Sequence, residues 1–189
     1  MSVFEHVAVA ISIIFGLGIT TLLTASLDLF RHRTEVRFYW VPVAWAAIVF
    51  WLHLQVWWAL GVVIGDQEWL HSDFLLTVAL AISLFCAASL VLPSRTTIDT
   101  YDLTRFFQSE GRWGCAAVGV AYVILIPATH VIWGIPLVSP VTLAAGLNAI
   151  VAGSIALSRT AHWGRLLTVT ALCVQAWFQY LTFVPMLTP

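Results

Sequence analysis

The chain has 189 residues, of which 61% are hydrophobic and only 9% are charged, and its net charge at pH 7 is −1. Soluble domains carry about 25% charged residues, so this composition excludes a water-soluble globular protein. The lack of a net positive charge argues against a nucleic-acid-binding protein. Lipid must therefore be the solvent for most of the surface.

Six apolar stretches approach the length of about 20 residues that a membrane-spanning helix needs. In chain order they are 7–27, 40–63, 74–92, 114–137, 141–157 and 166–187. We therefore predict an all-α fold, in which residues 1–189 form a single transmembrane domain with a bundle of six helices. The fourth and fifth stretches are separated only by 138–140, which predicts a tight helical hairpin.

The basic residues give this bundle an orientation. All eight are arginines, and they fall in three alternate loops, 31–37, 95–112 and 159–165. Cytoplasmic loops carry an excess of basic residues. We therefore expect these three loops to be cytoplasmic and both termini to lie outside.

Small residues predict where two helices pack against neighbours. They recur every four residues in the first stretch, at Ser12, Gly16, Thr20 and Thr24, and in the fifth, at Ala145, Ala149 and Gly153. Such spacing lets helix backbones approach closely in lipid. We expect both stripes to face other helices.

The loop between the third and fourth spans has room for structure of its own. Leu103, Phe106 and Phe107 share one helical face, which predicts a short interfacial helix over approximately 99–109. We expect Asp99 to cap this helix and Asp102 to lie in its first turn.

A small set of polar side chains lies inside the spans. Such residues usually face the interior of a helix bundle. At a rise of about 1.5 Å per residue, the predicted orientation places them at or outward of the midplane. The set consists of His53, Gln55, His130, Asn148, Gln175 and Gln179, with Glu5 and His6 at the outer mouth.

These side chains predict an outward-facing polar cavity, although each of them could instead only hydrogen-bond a neighbouring helix. His53 and Gln55 are two residues apart on one helix, so they cannot both point at one spot.

Three classes of function remain open on these residues. The first is a membrane protein that transports or senses a small solute, an ion or a proton through this cavity. The second is a non-catalytic subunit or scaffold, with a second copy or another membrane protein as its partner. The third is a metal- or haem-binding protein, for which His6, His53 and His130 are weak candidate ligands. No nucleophile with a matching base is visible, so an enzyme is the less favoured interpretation.

Three short motifs carry a resemblance. They are Glu5-His6, Gly16-Leu-Gly18 and Gln55-Val-Trp57-Trp58. Together they resemble a group of small polytopic membrane proteins of bacteria that have no assigned function. The resemblance implies a compact helical fold in the bacterial inner membrane, and it implies no activity.

Overall fold

The computed structural model of the chain describes residues 3–63, 70–93, 102–158 and 160–187, with side chains except at 3–7, 62–63 and 183–187. Helices are the regular secondary structure of this part of the chain, and its only β-type pairing is an isolated bridge between Arg37 and Asp102. The predicted all-α fold is therefore confirmed. Glu5, His6, Asp99 and the arginines at 95 and 159 have side chains that lie outside the described residues.

Within the described residues, seven helices and one π-helical turn follow one another. They are α1 (Val3–Arg31), α2 (Trp40–Val63), α3 (His71–Leu90), α4 (Leu103–Phe106), the π-helical turn Phe107–Gly111, α5 (Arg112–Trp133), α6 (Pro140–Leu157) and α7 (Ala161–Leu187).

Five segments of these helices are long and apolar enough to cross a membrane. They are Ala8–Arg31, Trp40–Gly61, His71–Leu90, Leu103–Trp133 and Pro140–Leu157. The chain is thus a helical protein with the composition of a membrane protein. The helix α7 is not among these five, so the sixth span stays a prediction.

The helix α2 is the centre of the bundle. The helices α1, α3, α5, α6 and α7 pack side by side in that order, and α2 packs against α1, α3, α5 and α7. Its inward side chains, among them Trp45, Val49, Leu52 and Val56, are almost completely buried. The position of α2 therefore determines how much space remains between it and the helices around it.

Two glycines of α5 allow close contact with the neighbouring helices α6 and α3. A Cβ at Gly119 would lie 3.4 Å from the carbonyl oxygen of Ala149 and 3.5 Å from the backbone nitrogen of Gly153. At Gly114 a Cβ would lie 2.8 Å from the backbone nitrogen of Val91, beside the end of α3. The predicted packing of the small residues on α6 is therefore confirmed.

The stripe on α1 does not pack against another helix in the described part of this chain. Ser12, Gly16, Thr20 and Thr24 are all exposed on the outer side of the bundle. The face of α1 that packs inward instead carries Ile11, Phe15, Gly18 and Leu22. Lipid tails are as apolar as a protein core, so burial does not select the face with small residues.

Two further boundaries differ from the predictions. The helix α5 ends at Trp133 instead of 137 because Gly134 takes a left-handed conformation with φ of 64°. Asp102, predicted in the first turn, instead caps α4: its carboxylate accepts hydrogen bonds from the backbone N–H of Thr104 and Arg105. Asp99 lies outside the described residues. The region over 103–111 continues directly into α5, so it extends a helix that is long and apolar enough to cross a membrane.

Candidate functional site

The described arginines meet at one end of the bundle, which we call the arginine end. It contains the end of α1, the start of α2, α4, the π-helical turn and the starts of α5 and α7. The described arginines there are Arg31, Arg33, Arg37, Arg105, Arg112 and Arg165. The three loops that the sequence assigns to one side are thus brought together.

Side chains and backbone connect the elements at the arginine end. The hydroxyl of Tyr39 donates to the carbonyl of Ala161 at 3.2 Å, and its ring contacts Phe107 edge-on at 6.1 Å between centroids. The Arg165 guanidinium lies 5.9 Å from the centre of the Tyr39 ring. Burial raises the pKa of the Tyr39 phenol despite the hydrogen bond and the charge of Arg165. The phenol therefore stays protonated and keeps its donor.

A second link at this end joins the α1–α2 loop to α4. The backbone N–H of Leu103 donates to the carbonyl of Arg37 at 3.3 Å, and the Arg37 guanidinium lies 3.7 Å from the Asp102 carboxylate. Partial burial alone would raise the pKa of Asp102. The hydrogen bonds from Arg105 and Thr104 and the charge of Arg37 outweigh it and lower the pKa below its ordinary value.

The opposite end of the bundle, which we call the cavity end, encloses a cavity of about 310 Å³ between α2, α5, α6 and α7. Its wall is mostly hydrocarbon and aromatic, and it contains no ionisable side chain among the described residues. The lining residues are Leu52, Gln55, Val56, Trp58, Ala59, Leu125, Thr129, Trp133, Ile135, Val141, Phe178, Leu181 and Thr182.

Gln55 brings a carboxamide to this wall. Its Oε1 accepts a hydrogen bond from Gln179 Nε2 at 2.6 Å, and its Nε2 donates to the Thr182 hydroxyl at 3.4 Å. An amide nitrogen has two N–H groups, so one N–H of Gln55 remains for another acceptor. Gln179 does not line the cavity itself, and it holds Gln55 in place from α7.

Thr129 brings a hydroxyl to the opposite wall. It is 6% exposed and donates to the carbonyl of Ile126 at 2.8 Å, so its oxygen keeps acceptor capacity toward the cavity. Pro127 precedes it on α5 and has no backbone N–H, so one helical hydrogen bond is missing on the exposed side of α5. The indole of Trp133 donates to the carbonyl of Ala59 at 3.2 Å and ties α5 to α2 beside the cavity.

The inward face of α7 is polar along its length. The Thr168 hydroxyl accepts from the indole of Trp45 at 3.0 Å, and Gln175 accepts from the hydroxyl of Tyr122. Gln179 and Thr182 contact Gln55 one and two turns further on. The polar side chains that lower the mean hydropathy of α7 therefore form hydrogen bonds with side chains of α2 and α5.

His53 does not line the cavity, in contrast to the prediction. Its Nδ1 lies 2.8 Å from the carbonyl of Val49, and its ring is completely buried against Phe15 of α1. Residues two apart on a helix point about 200° apart. Gln55 faces the cavity, so His53 has to face α1.

Three other predicted residues also lie away from the cavity. His130 is exposed, with Nδ1 at 3.1 Å from the carbonyl of Ile135. Asn148 is buried and donates to the carbonyl of Ala144 on its own helix at 3.1 Å. Gln175 is buried against Tyr122, and among the described residues its Nε2 has no hydrogen-bond partner. Of the predicted residues whose side chains are described, the structure brings only Gln55 and Gln179 together, and Gln55 alone lines the cavity.

The geometry does not fit two of the three predicted metal and haem ligands, His53 and His130, and the side chain of the third, His6, lies outside the described residues. Nε2 of His53 faces Gly18 so closely that a Cβ there would overlap the ring, which leaves no space for a metal ion or haem edge. His130 faces away from His53 on the exposed side of α5. The described part of the chain holds no group of three or more His, Cys, Asp or Glu side chains placed to share a metal ion.

Sequence reasoning missed Thr129, Thr182 and the two lining tryptophans, Trp58 and Trp133. Signals for two of them are present in the chain. Thr129 follows Pro127 at the point where α5 loses a backbone bond, and Thr182 is three residues after Gln179 on the same helical face. Nothing in the sequence distinguishes Trp58 and Trp133 from tryptophans that face lipid.

No protein-family model, no curated protein and no solved structure matches this chain.

Proposed function

We propose that this protein is a six-span membrane protein that binds a small, uncharged, mostly apolar molecule in the cavity between α2, α5, α6 and α7, in order to transport or sense it. The observation that supports this proposal is the cavity wall, which combines ten apolar side chains with the polar groups of Gln55, Thr129 and Thr182. Ligand pockets typically have this composition. The wall is less suited to an ion or a proton, because no described ionisable side chain lines it.

The cavity volume limits the size of the ligand. A cavity of about 150 Å³ admits benzene, and the volume here is about 310 Å³. A cyclic molecule with about 11 non-hydrogen atoms is therefore a suitable probe. Menthone has this size and carries a single ketone.

A substitution that fills the cavity tests this proposal. We expect menthone to raise the unfolding temperature of the purified wild-type protein, because a ligand that binds only the folded state stabilises it. Ala59→Phe and Val141→Phe, which fill the cavity from two walls, should abolish this rise. Ala47→Phe places the same ring on the exposed side of α2 and should keep it. Equal stabilisation of all four proteins would contradict a ligand in this cavity.

The orientation is part of the same proposal. We place the arginine end in the cytoplasm, the cavity end outside and α7 across the bilayer as the sixth span, in a bacterial inner membrane. A variant with Ala at Cys86, Cys115 and Cys173 allows a test with single new cysteines. Val138→Cys should react with an impermeant maleimide on intact cells, and Thr34→Cys only after the membrane is opened. The reverse pattern would invert the orientation.

A scaffold role is the second candidate, and the exposed stripe on α1 favours it. Ser12, Gly16, Thr20 and Thr24 face outward, where a helix of another subunit would find room for close approach. Thr20→Cys should then form a disulfide-linked dimer in membranes, while Thr170→Cys on the exposed face of α7 should not. Equal cross-linking at both positions would remove this candidate.

A further inference from the structure

We infer that the cavity recognises a hydroxyl group, so that its ligand is an uncharged alcohol or phenol; this inference rests on the proposed function. Three polar side chains line the wall, and the donors and acceptors they leave unused define which ligand groups they can satisfy.

Apolar contacts alone give this cavity little preference among ligands. The walls are hydrocarbon, and so are the lipid tails from which a ligand would come, so transfer into the cavity has almost no hydrophobic driving force. The apolar walls therefore set size and shape. The polar groups of Gln55, Thr129 and Thr182 decide which molecule of that size binds.

The hydroxyl groups of both threonines already donate their hydrogen to backbone carbonyls. Thr129 donates to the carbonyl of Ile126, and Thr182 donates to the carbonyls of Phe178 and Gln179. Thr182 also accepts from Gln55. What remains toward the cavity is acceptor capacity, most of it on the Thr129 oxygen. A ligand needs a donor to use it.

Gln55 contributes the complementary group. One N–H of its amide goes to Thr182, and its Oε1 accepts from Gln179. The second N–H is a donor for which the ligand must bring an acceptor. A hydroxyl provides both a donor and an acceptor, whereas a ketone or an ether provides only an acceptor.

The absence of ionisable side chains among the described lining residues sets the charge of the ligand. A carboxylate or an amine would enter this wall without an opposite charge, which is costly in a low-dielectric site. The cavity therefore favours a neutral hydroxyl over an acid or a base of similar size.

Menthol and menthone form a matched pair for the test, because they share a ring skeleton and differ in hydroxyl against ketone. We expect the wild-type protein to bind menthol about fivefold more tightly than menthone, since one hydrogen bond is worth about 1 kcal/mol. Thr129→Val should remove this preference by weakening menthol alone. Thr129→Ser, which keeps the acceptor, should restore it.

Two further variants assign the remaining contacts. Gln55→Met should weaken menthol and menthone alike, because both use the Gln55 N–H. Thr170→Val is the control for Thr129→Val, since Thr170 makes the same type of bond to its own helix, to Leu166, on the exposed side of α7. It should leave both affinities unchanged.

The outcomes separate this inference from the proposed function. If both probes bind, Ala59→Phe blocks both and their affinities are equal, the cavity is a binding site without a preference for hydroxyl, and the inference is wrong. If neither probe binds the wild-type protein, the proposed function fails and the inference fails with it. A menthol preference that persists in Thr129→Val would also contradict the role of Thr129.

Discussion

The helices pack closely at the arginine end of the bundle and leave a cavity at the other end. At the arginine end, Tyr39, Trp45 and the backbone of Arg37 connect α2 to α7 and α4, and Gly114 brings α5 against the end of α3. At the cavity end, the same helices α2, α5 and α7 leave a cavity between them. The comparison indicates that one end provides rigidity and the other provides space.

The difference arises along α2. The indole of Trp45 is almost fully buried and bonds directly to α7, whereas two turns further on the smaller side chains Leu52, Val56 and Ala59 leave room between the same helices. The bundle therefore leaves free space between helices at one end and keeps the same helix order at both ends.

The largest expected effect comes from the glycine at the arginine end. Gly114→Ala places a Cβ against backbone atoms of Val91 that cannot move aside, so we expect a loss of about 1–3 kcal/mol. Gly146→Ala on α6 meets nothing within 4 Å, and it should be neutral or should stabilise by roughly 0.5–1 kcal/mol. Unfolding of both variants in detergent measures the contrast, and equal destabilisation would show that the two ends are equally tight.

Substitution of two tryptophans compares the stability of the two ends directly, because each tryptophan donates its indole N–H to another helix. Trp45→Phe removes a buried bond to Thr168 and should cost about 1–2 kcal/mol. Trp133→Phe removes a bond to Ala59 at a partly buried site and should cost about 0.5–1 kcal/mol. The same unfolding assay gives both values.

A measurement of menthone binding gives a second comparison of these two variants. Trp133 lines the cavity and Trp45 does not, so Trp133→Phe should change the affinity for menthone while Trp45→Phe should leave it unchanged. Loss of binding in Trp45→Phe at full folding would show that the arginine end controls the cavity.

The smallest expected effect is a pH dependence at the arginine end. The folded-state pKa of Asp102 is below the ordinary value of 3.8, so its ionised form stabilises the fold. This contribution is fully present above pH 4 or so and disappears as the pH falls through the lower folded-state value. Asp102 is partly exposed, so the contribution is small.

The variant Asp102→Asn isolates this contribution from the other carboxylates, because asparagine also caps a helix but does not titrate. Between pH 6 and pH 3, its unfolding temperature should fall by a few degrees less than that of the wild-type protein. Identical curves would show that the link between Arg37 and Asp102 does not stabilise this end.

The sequence predicts positions along the helix axes better than directions around them. The limits of α2 and the meeting of the arginine loops follow from apolar length and from charge, and both signals survive in lipid. The direction of a side chain around its helix does not follow, because lipid and core are equally apolar. For this reason His130, predicted in the cavity, lies on the exposed side of α5.

The cavity residues illustrate the same limit. The polar character of Gln55 and Gln179 marks both as inward-facing, and the structure brings them together. Thr129 was missed because threonine satisfies itself on its own helix and is common in any span. Its acceptor role depends on which helix faces it, and this is a property of the packed bundle alone.

The polar inward face of α7 has a consequence for how the chain enters the membrane. Thr168, Gln175 and Gln179 would be exposed to lipid if α7 inserted alone, and each is partnered by a side chain of α2 or α5. During synthesis those earlier helices emerge first and can receive α7 as it arrives. A nascent chain halted before residue 161 would leave the polar groups of Trp45, Tyr122 and Gln55 without their partners on α7, which is costly in an apolar environment.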